Sequence, residues 1–111
     1  MLIEYIKKEI DRKNIKGILY DRYSHIQNLD PEGKSFVIKF QNELGLSMLQ
    51  HKYAFCTHDT WELAVVTHTN MYELNKIKLF LEHPICNGDV LRNQTVDEVM
   101  EIITKLSTEI R

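Results

Sequence analysis

The side chains of this 111-residue chain that could do chemistry are five histidines, two cysteines and scattered carboxylates. His51, Cys56, His58, Asp59 and His68 fall in one short stretch, and zinc held by His58, His68 and a carboxylate is the site such a cluster suggests. Spacing argues against it. His58 sits in a polar turn and His68 just past the far end of the next strand, and such a strand separates its ends by roughly 25 Å. No HExxH or CxxC pattern forces the ligands together. The expectation is no metal and no cofactor.

Nucleophilic catalysis has less support still. Ser24 and His25 are neighbours, which on a strand places them on opposite faces. No Gly-x-Ser-x-Gly elbow occurs, and Gly17, Gly33, Gly45 and Gly88 are isolated, reading as turn formers rather than a phosphate cradle. Cys56 reads as a small buried hydrophobe, and Cys56 and Cys86 fit neither a disulfide framework nor a zinc knuckle. His58 with Asp59 is the one acid/base pair to consider, and a tight turn gives it little cleft. Lys7, Lys8, Arg12, Lys13 and Lys16 are interrupted by Glu4, Glu9 and Asp11, as on a solvated helix face.

The elements that would position these residues follow from periodicity. Leu2, Ile3, Ile6 and Ile10 recur at helical spacing, which predicts a helix over 2–16 ended by Gly17. Asp30-Pro31-Glu32-Gly33 is a turn, joining a strand within 19–28 to one over 35–41. In the latter, Phe36, Ile38 and Phe40 alternate with Lys39 on the other face. A third strand runs from Leu46 to Phe55 with Leu49, His51, Tyr53 and Phe55 on one face. Trp61 to Val66 is the fourth, with Trp61, Leu63 and Val65 aligned, and 77–81 an edge strand blunted by lysine.

Thr95 and Glu98 form a capping box that opens a C-terminal helix. Val96, Val99, Met100, Ile103, Leu106 and Ile110 trace its apolar stripe. Helix, strands, helix is the order of an α+β domain spanning 1–111. It should be a four- to five-stranded antiparallel meander with both helices on one face, the other face free to stay wet.

Composition bounds the function. Hydrophobic residues at 43% and charged residues at 27% are ordinary for one globular domain, and no apolar run could span a bilayer. A cytoplasmic location with no membrane association is expected. Residues 1–52 carry nine Lys/Arg against seven Asp/Glu, and residues 53–111 carry five against nine. The lack of a basic stripe argues against nucleic acid, and the mildly acidic second half reads either as a solvated surface with no partner or as one suited to the basic groove of a partner protein.

The run Tyr53-Ala54-Phe55-Cys56-Thr57-His58-Asp59-Thr60-Trp61-Glu62-Leu63-Ala64-Val65-Val66 is followed by Cys86-Asn87-Gly88-Asp89-Val90-Leu91 and Thr95-Val96-Asp97-Glu98-Val99-Met100. Over this second half the chain resembles small uncharacterised phage and prophage proteins, in which an aromatic strand, a turn-strand and a capped helix succeed one another. The resemblance implies a mobile genetic element, where small domains bind and inhibit host or rival machinery. It carries over no catalytic residue.

The expectation is a non-enzymatic protein-binding domain, either a phage inhibitor of a host defence nuclease of the anti-CRISPR kind or a toxin-immunity protein. Tyr23 and Tyr72 would be its anchors, and Glu73, Glu82, Asp89, Glu101 and Glu109 its exposed charges. The alternatives are a small enzyme assembled around His58 and Asp59, or a nucleotide-binding oligomer. A homo-oligomer is compatible with the sequence.

Overall fold

A computed structural model describes residues 2–16, 18, 25–29, 33–51, 60–68 and 77–110, with backbone alone for 2–4, 25–29, 33–35 and 51. Among the described residues two helices, α1 (Leu2–Arg12) and α2 (Val96–Thr108), flank six strands in sequence. These are β1 (His25–Leu29), β2 (Gly33–Lys39), β3 (Leu44–His51), β4 (Trp61–His68), β5 (Ile77–Leu79) and β6 (Leu91–Gln94). The class is α+β, with an antiparallel meander β1-β2-β3-β4-β5.

The expected alternation builds the core. Phe36, Ile38 and Phe40 of the β2 segment, Leu44, Leu46 and Met48 of β3, and Trp61, Leu63 and Val65 of β4 are fully buried on one face. Ile6 and Ile10 of α1 and Val99, Ile103 and Leu106 of α2 close over them. Each such side chain stabilises the fold by roughly 1.5–3 kcal/mol through removal from water. Tyr5 lies beside Thr95, Val96 and Asp97, and Lys13 beside Thr104 and Thr108. Like ends of the two helices therefore meet, and the helices run side by side in the same direction.

Several expectations need correction. α1 stops at Arg12, because Asn14 takes the left-handed conformation (φ 53°) ahead of Gly17. Asn14 N donates to Asp11 O and Ile15 N to Ile10 O, a Schellman ending that folds Ile15 back onto the core. β3 begins at Leu44, so Leu44, Leu46 and Met48 face the core and Leu49 faces the other way. Tyr53 and Phe55 lie outside the described residues. The hairpin loop is Gln41-Asn42-Glu43, with Glu43 at φ 70° and Phe40 N donating to Leu44 O.

Gly45 consequently sits inside a strand. A Cβ there would come within 2.9 Å of both Ile38 O and Val66 Cγ2, so it serves close packing, not a turn.

The reverse face of the sheet is not wet throughout. Val37, Lys39, Ala64, Val66 and His68 are all buried there. β4 also extends two residues beyond the expected end, which puts His68 within it. His68 Nε2 lies 2.9 Å from Phe40 O, to which it donates, and its Nδ1 is buried without a hydrogen-bond partner.

The far edge of β4 is shared. β5 pairs with Val66–His68 and β6 with Trp61 and Leu63, with a register shift between the last two. β6 was not expected: Leu91-Arg92-Asn93-Gln94 has one apolar residue and Asn93 at φ 51°. α2 opens with the expected box, Glu98 N donating to Thr95 Oγ1 and Thr95 N to Glu98 Oε1. It ends at Thr108 with Glu109 extended, so Ile110 leaves the stripe and is 96% exposed.

Candidate functional site

Of the residues expected to meet a partner, Tyr23, Tyr72 and Glu73 lie outside the described residues, as do His58 and Asp59. Glu82, Asp89 and Glu101 are exposed. Asp89 accepts from Val90 N at 2.7 Å and pairs with Arg92 at 3.2 Å, while Glu101 pairs with Lys105 at 3.1 Å. Exposed pairs of this kind contribute little to stability and leave the carboxylates accessible.

Asp97 and Glu98 place two further exposed carboxylates on the first turn of α2. The Thr95 backbone N–H, and then its hydroxyl, hold the Glu98 carboxyl below the usual carboxylate range. Beside them the α1–α2 junction forms a shallow groove of about 380 Å³ lined by Tyr5, Thr95, Val96 and Asp97. Tyr5 is 50% exposed, one of the large hydrophobics that face solvent. It flanks the apolar stripe of α1 instead of lying on it, which is the signal that could have marked it.

Glu109 is placed differently from the expectation. It is only partly exposed, and its Oε1 lies 2.7 Å from Nε2 of His83, itself 4% exposed. Ile85 N donates to His83 Nδ1 at 3.1 Å, so the ring proton sits on Nε2 and is donated to the carboxylate. The turns of Phe80–Val90 build this arrangement. Cys86 N and Asn87 N both donate to His83 O, Gly88 N donates to Leu81 O, and the Phe80 ring meets His83 edge-on at 5.7 Å.

An imidazole oriented by a carboxylate is two-thirds of a hydrolytic triad, but both ring nitrogens are occupied and neither can take a proton from a nucleophile. Cys86 does not supply one. Its Sγ accepts from Val65 N at 3.3 Å, and burial pushes the thiol up, away from thiolate.

Asn42 completes this end of the molecule. Its Nδ2 donates to Leu106 O at 2.7 Å and Glu109 O at 2.9 Å, and its Oδ1 accepts from Leu44 N at 3.2 Å. The β2–β3 loop thus caps the C-terminus of α2 through one side chain. No helix among the described residues is long and apolar enough to cross a membrane. The chain matches no protein-family model, no curated protein and no solved structure.

Proposed function

We propose that the chain is a non-enzymatic protein-binding domain that docks a basic partner through the surface around Tyr5, Asp97, Glu98 and Glu101. The observation that carries this reading is Tyr5, half exposed in a groove whose opposite wall is the acidic first turn of α2. A rigid aromatic beside carboxylates has the composition of a binding hot spot for a cationic surface. Glu82 and Asp89, on the turns between β5 and β6, add to the acidic character.

The resemblance of residues 53–66 and 86–100 to phage and prophage proteins supports a setting in which the partner is a cytoplasmic defence nuclease or toxin. The nucleic-acid channel of such an enzyme is a ready basic groove. The test is inhibition of defence nucleases from a bacterial panel, with a short DNA duplex as competitor. An inhibited nuclease should be relieved by the duplex, and inhibition should weaken when Asp97 and Glu101 are changed to Lys. Inhibition indifferent to both would overturn this surface as the binding site, and no inhibition across the panel would overturn the nuclease as its target.

A further inference from the structure

The opposite end of the helix pair holds a second concavity. A cleft of about 540 Å³ lies between the end of α1, the β2–β3 loop and the last turn of α2. Lys13, Lys16, Gln41, Thr104, Ser107 and Thr108 line it. We propose that this cleft binds a small phosphorylated polyol, such as a sugar phosphate or the ribose-phosphate part of a nucleotide.

The lysines set the anionic half of that ligand. Both are exposed, and neither ammonium forms an ion pair with another described residue. The first turn beyond α1 holds them, where the Asn14 and Ile15 backbone bonds already satisfy the carbonyls of Asp11 and Ile10. Lys13 acts electrostatically on the Glu9 carboxylate without a close ion pair, Lys16 adds a second charge at the same turn, and a phosphate takes donors of this kind.

The hydroxyls set the other half. Thr104 Oγ1 donates to Met100 O, Ser107 Oγ to Thr104 O, and Thr108 Oγ1 to Thr104 O and Lys105 O. A hydroxyl has one proton and two lone pairs. With every proton turned inward to the helix backbone, the wall of the cleft presents oxygen lone pairs. Near neutral pH phosphate is chiefly an acceptor, whereas each hydroxyl of a polyol can donate to them. Gln41, exposed on the third wall, has an amide that can both donate and accept.

The parallel helices are what bring the two halves together. Residues 13–16 and 104–108 are far apart in sequence, and like-directed packing places both helix ends at one cleft. This site lies at the other end of the helix pair from Tyr5, so its test does not depend on the acidic surface.

The experiment is a titration of the labelled protein followed by amide chemical shifts, with ribose 5-phosphate, inorganic phosphate and ribose as separate probes. Ribose 5-phosphate should move the signals of residues 13–16, 41 and 104–108 saturably, and bind at least about fivefold more tightly than inorganic phosphate. Lys13→Ala with Lys16→Ala should weaken it by about tenfold or more, and Ser107→Ala should narrow its advantage over phosphate. Thermal melts confirm that the variants are folded. Absence of saturable shifts at millimolar probe, or shifts unchanged in the double lysine variant, would overturn the site. Equal affinity for inorganic phosphate would overturn the polyol.

Discussion

His83 and Glu109 are joined across the fold by a hydrogen bond of 2.7 Å, from a buried imidazole N–H to a partly exposed carboxylate. The bond ties the turns after β5 to the residue that closes α2, so the end of that helix is fixed from outside its own backbone. Changing Glu109 to Ala leaves the buried Nε2–H without its acceptor and should destabilise the protein by about 1–3 kcal/mol. Glu109→Gln, which keeps a carbonyl oxygen, should lose less. Chemical denaturation of the three proteins gives the comparison, and identical midpoints would show that the contact contributes nothing.

Glu98 makes stability depend on pH. Hydrogen bonds from Thr95 lower its folded-state pKa below the ordinary carboxylate value of 4.5. Below that unfolded value the unfolded chain binds more protons, so this contribution is present above about pH 4.5 and is lost as pH falls through the folded value. Glu98→Gln should flatten the acid limb of a stability-against-pH curve. Thr95→Ala should in addition lower stability at neutral pH by about 1 kcal/mol through loss of the cap.

Gly45 should tolerate no side chain. Gly45→Ala brings a Cβ against Ile38 O and Val66 Cγ2 at 2.9 Å, and overpacking of this kind destabilises by about 1–3 kcal/mol. Adding Val66→Ala relieves only the side-chain half of the clash. A double-mutant cycle read by thermal melting should therefore show partial and not full recovery.

Cys86 should react with a thiol reagent only when the structure opens. It is 5% exposed, and burial keeps the thiol protonated. Labelling in native buffer should be slow and should accelerate with denaturant in parallel with unfolding. Rapid native labelling would mean that the turns of Phe80–Val90 open independently of the sheet.

The proposed partner surface makes a kinetic distinction. Charge reversal at Asp97, Glu101 and Glu82 should slow association with a basic nuclease and flatten its salt dependence, with the fold intact. Tyr5→Ala should instead speed dissociation, since an aromatic anchor acts after encounter. Surface-immobilised binding at two salt concentrations separates the two effects.

The capping box and the strand alternations, both local rules, read the fold correctly, whereas the helix ends at Gly17 and Ile110 did not. Thr95 and Glu98 are three residues apart, and the alternations of Phe36 to Phe40 and Trp61 to Val65 lie within single strands. Where placement depends on a distant neighbour, the signal is weak. Gly45 resembles a turn glycine until Val66 is placed beside it, and the polar run of β6 is a strand only because β4 has an open edge. Lys39 reads as a solvent-facing lysine, yet its side chain is fully buried on the reverse face. The cleft was illegible for the same reason, since nothing in residues 13–16 announces the hydroxyls of Thr104, Ser107 and Thr108. Tyr5 carried a legible hint in its position beside the stripe, whereas the aromatics chosen from the sequence, Tyr23 and Tyr72, lie outside the described residues.

The Asn42 side chain has a consequence for the order in which the chain assembles. Its bonds to Leu106 O and Glu109 O join residues 64 and 67 positions apart. Closing loops of that length is entropically opposed, and such contacts slow folding. α2 has 13 residues, a length at which an isolated helix is marginal in water. During synthesis α1 and the meander emerge first, so that Phe36, Leu46 and Leu63 are covered only in part, and the second helix that closes over them is made last of the described elements. Until residues 95–109 have left the ribosome, that apolar face is a sticky template for chaperones or for another nascent chain. Completion of the domain is thus timed by the arrival of its final helix.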